Sequence, residues 1–148
     1  GPKEIVNAMS TLQGQSTSNA CSITQKAAVA ALTGDQQPVL DMNQEFKKRH
    51  DYFIMALNRL PGIVALPCAG AFYAWADCNA AMMAFGIKDD NAFAEMLIND
   101  AGVAVVPGSG FGAPNHFRAS FATSMAVLEK SIERMKKVLE RGPVAKSA

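Results

Sequence analysis

The sequence predicts an α/β fold of the α+β kind, a two-layer sandwich in which a small mixed or antiparallel sheet packs with helices behind one long leading helix. Three observations carry this. Apolar residues recur at helical spacing up to Pro61-Gly62, the period then shortens to that of strands, and a helical stripe returns near the end.

The first forty residues read as two short helices, Lys3 to Leu12 and about Ala20 to Leu32, separated by Gln13-Gly14-Gln15-Ser16-Thr17-Ser18-Asn19. Ser18 or Asn19 is suited to cap the second helix, because a side-chain oxygen satisfies its free amides, and Gly34 to end it. Pro38 opens the third helix, whose stripe is Val39, Met42, Phe46, Phe53, Leu57 and Leu60, with Arg49 filling one turn. At 1.5 Å per residue it would run on the order of 35 Å, a length that suits a bridge between domains.

Ile63 to Leu66 and Ala71 to Ala76, joined by a Pro-Cys-Ala-Gly turn, form an expected antiparallel pair. Phe72 points to one face of the second strand and Tyr73 and Trp75 to the other, so both faces should be covered. A helix beginning at Asp90 or Asn91 carries Phe93, Met96 and Leu97 and closes at Gly102; Val103 to Val106 is the next strand. After the loop Pro107 to Asn115, a last strand over Phe117 to Ala122 sets Phe117, Ala119 and Phe121 against Arg118 and Ser120. The final helix shows Leu128, Ile132, Met135 and Leu139 in a stripe, with Glu133 and Lys137 at i,i+4, until Gly142-Pro143. This gives three segments: 1–37, helices that belong partly to something else; 38–143, a sandwich with its bridging helix; and 144–148, a loose tail.

The 14 basic and 13 acidic side chains nearly cancel, which removes the field that would gather nucleic acid or an anionic membrane. The basic run Lys47-Lys48-Arg49-His50 reads as a solvated helix face. Cys21, Cys68 and Cys78 are an odd, widely spaced set, which fits neither a disulfide framework nor a metal pair and suits a reducing cytoplasm. Neither a membrane span nor a signal peptide is apparent. Two distant histidines make neither a metal cluster nor a nucleophile and base, and the eight methionines read as packing.

Two features point to chemistry. Pro107-Gly108-Ser109-Gly110-Phe111-Gly112 follows a strand, yet it leads through Pro114 into another strand and not into a helix, unlike a dinucleotide fingerprint. Its glycines permit close approach to a ligand, or movement when one binds. Arg118, mid-strand among apolar residues, needs an anion for its fork of donors, either an internal acid such as Asp77 or a bound ligand. His116 lies on the same face.

Taken together, Gly70-Ala71-Phe72-Tyr73, Val105-Val106-Pro107-Gly108 and His116-Phe117-Arg118-Ala119-Ser120-Phe121-Ala122-Thr123-Ser124 resemble the small domain of class I aminotransferases, fold-type I enzymes that use pyridoxal phosphate. Gln13 to Asn19 with Ser22-Ile23 and Gln25, and Gly1-Pro2-Lys3-Glu4-Ile5 before them, resemble the segment after the cofactor lysine in bacterial aspartate aminotransferases. The resemblance covers residues 1 to 143 and implies a carboxy-terminal fragment of a homodimeric enzyme moving an amino group from an amino acid to a 2-oxo acid. It implies that Arg118 holds the substrate α-carboxylate by two parallel hydrogen bonds. Ser16, Thr17, Ser18 and Asn19 would lie at the dimer interface near the neighbouring active site, with Ala20 where proline often follows Ser-Asn. The family's Schiff-base lysine sits in a Ser-Lys motif before Gly-Trp-Arg-x-Gly, a context that none of these lysines has, so the fragment alone should be inactive. Residues 1 to 48 also lack the arginine that one branch uses for a distal carboxylate. The alternative is a free-standing amino-acid-binding or dimerisation module without catalysis.

Overall fold

A computed structural model describes residues 1–17 and 19–142, and within them the chain divides into two compact units, Gly1–Asp41 and a second beginning at Met42. The first unit holds α1 (Lys3–Ser16) and α2 (Ser22–Thr33), neither of which buries a residue within this chain. α1 runs past the expected end at Leu12, because Gln13, Gly14 and Gln15 continue its backbone hydrogen bonds until Thr17 adopts an extended conformation. Ser16 therefore sits in the last helical turn, where its hydroxyl donates to the Leu12 carbonyl (3.1 Å). α2 starts after Cys21 without a side-chain cap, so Asn19 does not cap it, while Gly34 does end it. Ser18 and the tail 144–148 lie outside the described residues.

α3 (Gln37–Leu57) stops one turn before Pro61, and Asn58 explains why. Its side-chain amide donates to the carbonyls of Ile54 (2.9 Å) and Ala65 (2.8 Å), and its Oδ1 accepts from the Ala65 amide (2.9 Å). One residue thereby ends the helix and fastens the first strand to it. The expected stripe divides: Phe53, Leu57 and Leu60 are buried and Phe46 packs on their cluster, whereas Val39 and Met42 are exposed. At Gly62 (φ +73°) a Cβ would meet the Ala81 amide nitrogen at 2.4 Å, so the turn needs glycine for its backbone angle and for its close approach.

The sheet has the order β1 (Val64–Ala65), β2 (Tyr73–Asp77), β4 (His116–Ser120), β3 (Val106–Pro107), with antiparallel neighbours throughout. The α+β class and the antiparallel β1–β2 pair are as the sequence indicates; several strand limits are not. β2 begins two residues later than expected; Ala74 and Ala76 are buried, but Phe72 ahead of them is exposed and Tyr73 and Trp75 on the other face are half-buried, so the expected cover of both faces is incomplete. β3 is two residues long because Val103 to Val105 leave the preceding helix without pairing. β4 keeps the expected alternation, with Phe117, Ala119 and Phe121 buried and His116 and Arg118 half-buried.

Behind the sheet, α4 (Asn79–Phe85), α5 (Asp90–Met96), a π-helical turn (Leu97–Ala101) and α6 (Met125–Arg141) complete the second layer. α4 has no counterpart in the sequence reading. α5 is capped by Asp89, whose side chain accepts from the Ala92 amide, and α6 by Ser124. Phe93, Phe117, Phe121, Leu57, Leu97 and Met135 form the centre of the core. No described helix is long and apolar enough to cross a membrane.

Candidate carboxylate-binding site

β2 and β4 place Trp75 directly opposite Arg118, and Tyr73 one diagonal step away on the same face. The Arg118 guanidinium carbon lies 4.3 Å from the centre of the Tyr73 ring. The 3-10 turn Gly108–Phe111, immediately after β3, brings a second ring to 4.6 Å. Phe111 in turn meets Trp75 edge-on at 5.6 Å, and Trp75 stacks on His116 at 5.8 Å. Each cation–π contact is worth about 0.5–2 kcal/mol, and together the rings orient the guanidinium plane and shed water from it.

Hydrogen bonding to Arg118 is incomplete. Its Nε is fully buried and meets no acceptor, and no carboxylate among the described residues forms an ion pair with it. Asp77, the internal candidate, instead accepts from the Asn79 amide at 2.8 Å and stands opposite His116 in the register. A buried donor without an acceptor costs about 1–3 kcal/mol, more when charged, and no carboxylate of the described residues offsets that cost. His116 hydrogen-bonds through Nδ1 to the Pro114 carbonyl (2.8 Å), an acceptor, so Nδ1 carries the proton and Nε2 faces elsewhere.

The glycine loop is shaped for this contact. At Gly108 a Cβ would lie 2.3 Å from the Ala113 oxygen and 2.8 Å from the His116 Cβ, so the turn can close only around glycine. Sequence reasoning named the loop and the arginine, and missed that the loop's Phe111 covers it. The aromatic residue between glycines just ahead of the arginine strand was the available signal.

The other sequence candidates lie apart from Arg118 or carry different roles. His50 accepts from the Cys68 amide at Nε2 (3.1 Å) and pairs with Asp51 through Nδ1 (2.9 Å), beside an open cavity of about 300 Å³. Cys78 is buried, and burial first, then the nearby carboxylates of Asp77 and Asp90, push its thiol up to about 12. That thiol is inert at neutral pH. The described residues contain no cluster of ligands able to hold a metal ion.

The site is thus a stacked, acceptor-poor arginine on the central strand of a small α+β domain. The family described as aminotransferase class I and II matches residues 1–135, and the chain belongs to it. It is 42% identical over 140 residues to the aspartate aminotransferase of Geobacillus stearothermophilus, covering 95% of this chain and 36% of that protein. The aspartate/prephenate aminotransferase of Nitrosomonas europaea is 41% identical over 145 residues, covering 94% and 36%. The crystal structure of the Rhizobium meliloti aspartate aminotransferase superposes with a TM-score of 0.82 at 38% identity, covering 96% of this chain and 37% of that one. The chain thus spans about a third of the length of the relatives it matches.

Aminotransferases imply pyridoxal phosphate, and the described residues do not by themselves fit that group. Every described lysine is exposed, and those with ion-pair partners, Lys47, Lys48, Lys136 and Lys137, reach carboxylates on their own helices.

Proposed function

We propose that this chain is the carboxy-terminal part of a pyridoxal-phosphate-dependent aminotransferase that moves an amino group from aspartate or a similar amino acid to a 2-oxo acid. Within it, Arg118 receives the substrate α-carboxylate. The observation that carries the assignment is a half-buried guanidinium that pairs with no carboxylate of the described residues and is already oriented by Tyr73 and Phe111. A carboxylate accepts two parallel N–H bonds from such an edge, which fixes the substrate's direction as well as its position. The cofactor and its lysine are assigned to residues outside this chain, so these 148 residues alone do not transaminate.

Residues 1–37 belong, in this reading, with the cofactor-binding domain, which supplies the surface that α1 and α2 lack here; residues 38–143 form the small domain. Ser16, Thr17, Ser18 and Asn19 lie at the interface of a cytoplasmic homodimer. The exposed side chains of Ile5, Met9, Leu12 and Leu32 on α1 and α2 support the need for a covering partner.

The test is Arg118→Leu in the complete enzyme. Truncating one partner of a buried charge pair costs about 2–5 kcal/mol, so KM for the amino-acid donor should rise by about two orders of magnitude or more. Arg118→Lys, which keeps charge without the fork, should recover little of it. An unchanged KM for both donor and acceptor would remove Arg118 from substrate binding.

A further inference from the structure

We propose that Asp90 is a positioning residue for the carboxylate site, fixing the glycine turn so that Phe111 stays over Arg118. The inference rests on the assignment of Arg118 to substrate binding and extends it to a residue that touches neither substrate nor guanidinium.

Asp90 is only 2% exposed and is the one buried charged side chain among the described residues. Its place at the first turn of α5 would account for a carboxylate near the helix start, but not for its burial, since Asp89 already supplies the cap. The Asp90 carboxylate instead turns toward the glycine loop. Its Oδ2 accepts from the Ser109 amide at 2.8 Å, across 19 residues of chain, and the neighbouring Asn91 amide reaches the Ser109 hydroxyl at 3.5 Å. A charge-assisted bond to a backbone amide is about twice as strong as a neutral one, and in a buried setting it is costly to lose.

Ser109 is two residues before Phe111 in a four-residue 3-10 turn, so fixing its amide fixes the turn. The other side is closely packed, since a Cβ at Gly108 would collide with Ala113 and His116. The turn closes through the Gly112 and Ala113 amides, which donate to the carbonyls of Ser109 (3.0 Å) and Gly108 (3.1 Å). Phe111 is itself half-exposed, and its ring meets the ring of Trp75 and the Arg118 cation, both on the site face. Asp90 therefore braces from behind the turn that carries Phe111, and the sequence Asp90–Ser109–Phe111–Arg118 runs from α5 to the site.

The test combines two readouts. Trp75 is the single tryptophan of this chain and lies 5.6 Å from Phe111, so its near-ultraviolet circular dichroism and emission in the 148-residue chain report the turn independently of catalysis. Asp90→Ala should change that signal in the direction that Phe111→Ala does, and Asp90→Asn, which keeps an acceptor oxygen but loses the charge, should change it measurably less and in the same direction. In the complete enzyme, Asp90→Ala should raise KM for the amino-acid donor about tenfold with kcat changed less, and should add nothing to KM in a Phe111→Ala background.

An Asp90→Ala protein that is less stable but keeps the wild-type Trp75 signal, or one that multiplies KM equally in both backgrounds, overturns the proposal. If Asp90→Ala does not fold, the same comparison is made with Asp90→Asn, whose neutral bond should give a smaller change of the same sign; no change refutes the brace. An Arg118→Leu enzyme with normal KM would sink the carboxylate assignment instead, and the Trp75 signal would still decide whether Asp90 holds the turn.

Discussion

Gly108→Ala is the substitution that most directly asks whether the turn over Arg118 is built as described. The new Cβ would stand 2.3 Å from the Ala113 oxygen, 2.8 Å from the His116 Cβ and 2.9 Å from the His116 oxygen. A carbon and a carbonyl oxygen normally approach no closer than about 3.3 Å, so something must move by about 1 Å. Two of the three neighbours are backbone, and no rotamer change relieves them. Overpacking of this kind costs about 1–3 kcal/mol, and the rigid neighbours place Gly108→Ala at the upper end, about 3 kcal/mol. In a unit of this size that lowers Tm by about 15 °C. Two controls lie in the same loop. Gly110 has nothing within 4 Å of its Cβ position and no positive φ, so Gly110→Ala should be neutral or stabilising by up to about 1 kcal/mol. Gly112 also has open space but sits at φ +76°, and Gly112→Ala should cost about 1 kcal/mol for the left-handed backbone alone. Urea denaturation followed on Trp75 measures all three. A Gly108→Ala protein as stable as wild type, or a Gly110→Ala protein equally damaged, would refute the reasoning.

Asn58→Ala removes three hydrogen bonds, two of which tie the end of α3 to β1, and leaves the Ala65 amide without its side-chain acceptor; a loss of about 1–3 kcal/mol in urea denaturation is expected. Phe93→Ala, at 0% exposure in the core centre, should cost about 3–5 kcal/mol by the same assay. Among the thiols, Cys21 and Cys68 should react with a thiol reagent in the native chain and Cys78 only on unfolding. Because the folded state raises the Cys78 pKa to about 12 from about 8.5, its contribution to stability is complete below about pH 8.5 and is lost as pH climbs through 12. Cys78→Ala should flatten that alkaline limb of the stability profile and leave the acid limb alone.

The arginine strand was legible because its signal is local. Phe117, Ala119 and Phe121 alternate with Arg118 and Ser120, and a charge inside such a pattern demands an explanation whatever the fold. α6 was legible for the same reason, through its stripe from Leu128 to Leu139. α4 was not, since Asn79 to Phe85 is only two turns long and its Ala and Met side chains show no clear face; what holds it is the buried contact of Ala81 and Met82 with the core. The division of the third helix into an exposed and a buried half was also hidden, because periodicity shows that a face is apolar and not how much of it the same chain covers. Phe111 and Asp90 escaped for a different reason. Their roles arise where a turn meets a helix 19 residues away in sequence, and no period links such positions.

Both borders of the sheet are blunt. β1 and β3 contribute two residues each, and β3 ends in Pro107, which has no amide hydrogen to offer a further strand. Backbone-to-backbone extension of the sheet by a second chain is thereby discouraged at either side. A contact made at these borders would run through side chains, by shape and not by strand addition.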